Sequence, residues 1–94
     1  MPLFRKKPVV IEAFQMTTAM GKTPEDWPAW AQKAWRSKDI RAPKRQEFAP
    51  EVAVVIETRE GQMAADFGDW IIQGVKGELC PCKPDIFAAT YEPA

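Results

Sequence analysis

The chain has 94 residues, 46% apolar and 28% charged, with 13 Lys/Arg balanced by 13 Asp/Glu and no His. That length holds one hydrophobic core and excludes two, and the composition excludes the disordered and helix-spanning membrane classes. Only Val9-Val10-Ile11 follows the cations Arg5-Lys6-Lys7 before Glu12; this is too short for a secretory apolar region, so a cytoplasmic protein is expected.

Residues 8–16 read as a first strand, because β-branched residues in a row favour the extended state and Pro8 suits a strand's beginning. Val9, Ile11 and Ala13 fall on one face, Val10, Phe14 and Met16 on the other. Residues 17–22, with Gly21, read as a loop. A helix follows over about residues 26–38. Two N-caps are open to it, Thr23 with Pro24 at the first position or Asp26 with Pro28 in the first turn. Pro28 favours the later start, since deeper in the helix it would break a hydrogen bond. Trp27, Trp30, Ala31, Ala34 and Trp35 form one apolar stripe at helical spacing.

Residues 39–50 hold two prolines, three Lys/Arg and few large apolar side chains, which reads as a mobile connection with a short extended piece at Ile40. Residues 52–58 read as a strand that turns at Glu60-Gly61 into a second. Phe67-Gly68-Asp69 turns the chain into a strand at 70–73, and Gly74 to Gly77 turns it into another starting at Glu78. A helical turn is expected over residues 84–90, with Phe87 and Tyr91 dropping together onto the sheet. The expected fold is therefore α+β, a small bent antiparallel sheet of four to five strands with one main helix and a short C-terminal helical turn.

Charge is segregated along the chain. Residues 1–50 hold ten Lys/Arg against five Asp/Glu, and residues 51–94 hold three against eight. The fold either keeps this asymmetry as a dipole or a self-complementary surface, or interleaves the halves.

The inventory works against catalysis. Without His, no Ser-His or Cys-His nucleophile pair exists. The pairs Asp66/Asp69 and Glu57/Glu60 sit at turns, where solvated acids are the default and a raised pKa is not expected. Cys80 and Cys82 flank Pro81; on a strand they share a face about 7 Å apart, unsuited to a disulfide. With no His and no further Cys they cannot complete a tetrahedral site from soft donors. No metal, cofactor or enzymatic activity is expected, and the thiols read as reduced. Basic residues beside tryptophans also suit nucleic acid, but the zero net charge and the core-type spacing of the tryptophans speak against it. The aromatic load suits a protein-binding patch, and homo-oligomerisation through a sheet edge or the Trp-rich helix is its economical form.

The blocks Phe4-Arg5-Lys6-Lys7-Pro8-Val9-Val10-Ile11-Glu12-Ala13-Phe14-Gln15 and Gly68-Asp69-Trp70-Ile71-Ile72-Gln73-Gly74-Val75-Lys76-Gly77-Glu78, with Pro81-Cys82-Lys83-Pro84-Asp85-Ile86-Phe87 and Thr90-Tyr91-Glu92, resemble a family of small proteins from tailed phages and prophages. Together they bracket the chain and cover about a third of it. Cys80 departs from the pattern, standing where an aromatic residue is expected. The resemblance implies an accessory phage protein made in the host cytoplasm, a class that often inhibits host enzymes or defence complexes or sequesters signalling nucleotides. It assigns no residue a role.

The reading is a non-enzymatic accessory protein that binds a host protein, with no membrane partner, through Arg36, Lys38, Arg41, Lys44 and Arg45 in and beside the variable basic segment. The alternative is a sponge for a nucleotide or other small anion using Arg5, Lys7, Trp70 and Lys83. A minor virion structural protein is the third reading.

Overall fold

The computed structural model describes residues 2–4 and 9–94. The expected strand start at Pro8 and the Arg5-Lys6-Lys7 cluster lie outside the described residues. The class is α+β, as expected, but the strands divide between two antiparallel sheets rather than one. The first sheet has the order β1-β5-β6, from Glu12–Gln15, Trp70–Gln73 and Leu79–Cys82. The second has the order β2-β3-β4, from Ile40–Arg41, Val52–Thr58 and Gly61–Asp66. Three helices, α1 (Thr18–Lys22), α2 (Ala29–Ser37) and α3 (Pro84–Thr90), complete the fold.

The division arises at one corner. β4 and β5 are consecutive, yet they do not pair, because residues 66–69 fold back on themselves. Asp69 N–H donates to Asp66 O at 3.0 Å, and the Asp69 carboxylate accepts from Asp66 N–H at 2.9 Å. Gly68 makes the reversal with φ of 99°, a conformation costly for any side-chain-bearing residue. The chain leaving the corner meets β1 instead. Met16 N–H donates to Asp69 O at 2.8 Å and Met16 O accepts from Gly68 N–H at 2.7 Å. From there β1 and β5 pair from Gln15↔Trp70 to Glu12↔Gln73.

β1 is shorter than expected because its partner β5 ends at Gln73, where the chain turns towards β6. Residues 17–22, expected as a loop, form α1. Its start is capped by Thr17, whose hydroxyl accepts from Met20 N–H. Neither expected cap opens the main helix. Pro24–Asp26 is a separate 3-10 turn, and α2 begins at Ala29, just past Pro28. Gln32 holds this entrance by donating its side-chain amide to Trp27 O and Glu25 O. α3 occupies its expected residues.

The core lies where α2 and both sheets meet. Phe14, Met16 and Ile71 from the first sheet, Ile40, Val54, Ile56 and Ala65 from the second, and Trp27, Ala31 and Ala34 form one buried cluster. Phe14 touches Trp27 and Trp30 with ring centroids 5.5 and 5.7 Å apart, and Trp27 meets Trp35 edge-on at 5.2 Å. The opposite face of the first sheet is covered by α3. Phe87 stacks on Trp70 at 4.1 Å with the planes 3° apart, and Tyr91 tilts against Phe87 at 5.1 Å.

The two indole groups beside Phe14 differ in one respect. Trp27 donates its ring N–H to Met20 O at 2.7 Å, pinning α1, whereas the buried Trp30 ring N–H has no acceptor among the described residues. An unmet buried donor costs about 1–3 kcal/mol. Trp30→Phe is therefore expected to be close to neutral in urea unfolding. Trp27→Phe, which strands Met20 O, lowers stability by about 1–3 kcal/mol.

Candidate functional site

The five basic residues proposed from the sequence fall at the end of α2 and in the segment that follows it, but they do not share one environment. Arg36, Lys38, Lys44 and Arg45 are exposed and make no ion pair among the described residues. Arg41 does not belong with them. It is half-buried in β2, and its guanidinium donates to both Glu47 oxygens, at 2.9 and 2.7 Å, and to Glu57 at 3.0 Å. A fork of this kind fixes geometry as well as charge. Arg41 is a clamp, and its removal from the free cations is a correction to the sequence reading.

The clamp orders a segment expected to be mobile. Ile40 is fully buried, and the β2 backbone pairs with β3 through Ile40↔Ile56 and Arg41↔Val55. Glu47, held by Arg41, also accepts from Lys44 N–H at 2.9 Å, while Glu47 N–H donates to Lys44 O at 3.0 Å. This closes a four-residue turn that begins at Lys44 and carries Arg45 and Gln46 at its tip. Gln46 takes the third position with φ of 64°, as a type II turn requires and where glycine is usual.

Lys38 is the second left-handed non-glycine residue, with φ of 68°. Lys38 N–H donates to Trp35 O at 3.2 Å and Asp39 N–H to Ala34 O at 2.9 Å. These are the paired bonds of a Schellman helix end, whose left-handed position is ordinarily glycine. The basic surface is thus presented by two residues in a conformation that costs an L-side chain about 1–2 kcal/mol.

The alternative anion site is dispersed. Arg5 and Lys7 lie outside the described residues. One face of Trp70 is covered by Phe87. Lys83 donates to Asp66 at 2.7 Å and to Asp69 at 3.1 Å, and these bonds raise its pKa, Asp66 contributing most. Asp69, expected as a solvated turn acid, is only 4% exposed. Its Oδ2 accepts from both Lys83 Nζ and Asp66 N–H, so it serves the corner. The signal in the sequence was the Asp66-Phe67-Gly68-Asp69 spacing, which places a side-chain acceptor over the first N–H of a turn.

Cys80 and Cys82 are free and half-buried. They pair with Ile72 and Trp70 respectively, on the sheet face that α3 covers. Burial, then Cys82 and Glu78, push the Cys80 thiol pKa up, which lowers its nucleophilicity at neutral pH. Among the described residues no group of three metal-binding side chains is brought together, and no helix is long and apolar enough to cross a membrane.

Two outcomes follow. Hydrogen bonds from Arg41, then from Lys44 N–H, hold the Glu47 carboxyl at about 2, against an ordinary 4.5. Because the folded form binds its proton later than the unfolded one, Glu47 stabilises the fold above pH 4.5 and loses this contribution as pH falls towards about 2. Acid unfolding of Glu47→Gln should lack that part of the slope, as read from urea midpoints across this range. In the corner, Lys83→Met should lower the thermal midpoint more than Lys76→Met. It strands the buried Asp69 charge, and adding Asp69→Asn should recover part of the loss. Compared with known protein families, curated proteins and solved structures, the chain matches none.

Proposed function

We propose that the chain is a non-enzymatic accessory protein of a tailed phage or prophage that acts in the host cytoplasm by binding a host protein. Its contact surface is Arg36, Lys38, Lys44 and Arg45, set against an acidic patch on the partner. The supporting observation is the way these cations are held. Lys38 and Gln46 sit in left-handed conformations, and Arg41 fastens the intervening chain to Glu47 and Glu57. Such strain persists where the surrounding structure enforces it, and it concentrates at functional positions. A preformed surface loses less conformational entropy on binding than a floppy one. Arg41 acts as a positioning residue.

The non-enzymatic part of the reading rests on where the reactive groups are engaged. Lys83 neutralises the Asp66/Asp69 pair, and burial raises the Cys80 pKa. The phage setting rests on the sequence resemblance. The nucleotide-sponge reading draws less support, since Phe87 already stacks on Trp70 and two carboxylates hold Lys83.

Affinity capture from bacterial lysate tests the proposal. The native chain should retain a discrete partner that rising salt releases. The variant Arg36→Glu/Lys44→Glu/Arg45→Glu should lose it at an unchanged thermal midpoint. Arg41→Met should weaken capture without removing a contacting group. Equal capture by the charge-reversed variant would refute the assignment of the surface. A rise of several degrees in thermal midpoint with any nucleotide would move the function to the sponge.

A further inference from the structure

Cys80 and Cys82 stand two residues apart on β6, and the β5–β6 ladder fixes them to one face, Cys80 opposite Ile72 and Cys82 opposite Trp70. Pro81 between them lies opposite Ile71 in the same ladder, and its ring fixes φ there. Both thiols are free and half-buried, so solvent reaches them. Cys80 also borders a cleft of about 1160 Å³ between the β3–β4 and β5–β6 turns, which gives an ion an approach.

Same-face neighbours on a strand have Cβ atoms about 7 Å apart. A disulfide needs them about 3.8 Å apart, so the two thiols do not bridge without deforming β6. An ion held between two sulfurs makes a different demand. With metal–thiolate bonds of about 2.3 Å, two opposed bonds span about 4.6 Å. Each Cβ–Sγ bond can lean along the strand towards the other cysteine in a staggered rotamer, and the two leans together close the separation to about that span. The spacing that forbids a disulfide therefore suits a linear dithiolate. It does not suit a tetrahedral ion, because among the described residues no third His, Cys, Asp or Glu joins the pair.

We propose that Cys80 and Cys82 together bind one copper(I) ion as a two-coordinate dithiolate. Soft thiolates select this monovalent ion, and it is satisfied by two ligands where zinc needs four. On binding, each thiol releases its proton to solvent and each sulfur donates an electron pair to the ion. One monovalent cation thus replaces two protons, and no electron is transferred. The site shares no residue with the basic segment, so failure of one assignment leaves the other standing.

Anaerobic titration of the reduced full chain with copper(I), in competition with a chromophoric copper(I) chelator, tests the proposal. One ion should bind per chain with two protons released, and X-ray absorption should show two sulfur neighbours and no other ligand. Cys80→Ser and Cys82→Ser should each weaken binding at least about a hundredfold, because the second thiol acts at high effective concentration. In the native chain the amide signals of Ile72 and Trp70, the cross-strand partners, move on titration with copper(I), whereas zinc at the same concentration leaves them in place. An ion shared by two chains would overturn the proposal, as would a third ligand or a single-serine variant that binds as tightly as the native chain. Copper(I) binding that leaves the Ile72 and Trp70 signals unmoved would do the same, since it would place the ion on unfolded chain.

Discussion

The buried carboxylate of Asp69 holds the corner on which the two-sheet architecture depends. Its Oδ2 accepts from both Asp66 N–H and Lys83 Nζ, while the backbone around it hands the chain from the β3–β4 hairpin to β1. Without that corner, two adjacent strands of suitable length would continue as a hairpin, and β1 would lose the β5 partner it has among the described residues. Burying a charge is favourable only when its hydrogen bonds are met, and here the salt bridge to Lys83 also ties the entrance of α3 to the end of β4. The residue that sets the topology thus recruits one of the few cations in the acidic half of the chain.

The first sheet packs on the core with one face and meets α3 through Trp70 on the other. Phe14 and Ile71 face the tryptophans around α2, while Trp70, Ile72 and both cysteines lie on the face occupied by Phe87. This coverage explains why groups that look chemically promising in the sequence are structural in the fold. Trp70 is stacked, Lys83 is paired, and the thiols are half-buried in β6. The basic segment fixed by a guanidinium fork stays outward, a surface for contact.

Strongly periodic parts of the sequence were legible. The apolar stripe of the main helix, the two hairpins β3–β4 and β5–β6, and the pairing of Phe87 with Tyr91 all follow from spacing. Topology was not, because the pattern of Trp70-Ile71-Ile72-Gln73 is equally compatible with pairing to β4 or to β1; only long-range bonds to Met16 decide between them. The short α1 was hidden because five residues around Gly21 carry little periodicity, and its cap at Thr17 is a local signal without an apolar run behind it. At the candidate site, the exposed cations were readable as a cluster. The different role of Arg41 depends on Glu47 and Glu57, the latter brought beside it by the β2–β3 ladder. The left-handed backbone at Lys38 and Gln46 leaves no mark in composition.

The most direct measurement of the central claim is the pattern of cross-strand proton contacts in solution. If the corner at Asp69 separates the sheets, Hα–Hα contacts join Ala13 to Ile72 and Gln15 to Trp70, and the Met16 amide is protected from exchange. Contacts running instead between Gly61–Asp66 and Trp70–Gln73, with an unprotected Met16, would contradict the account.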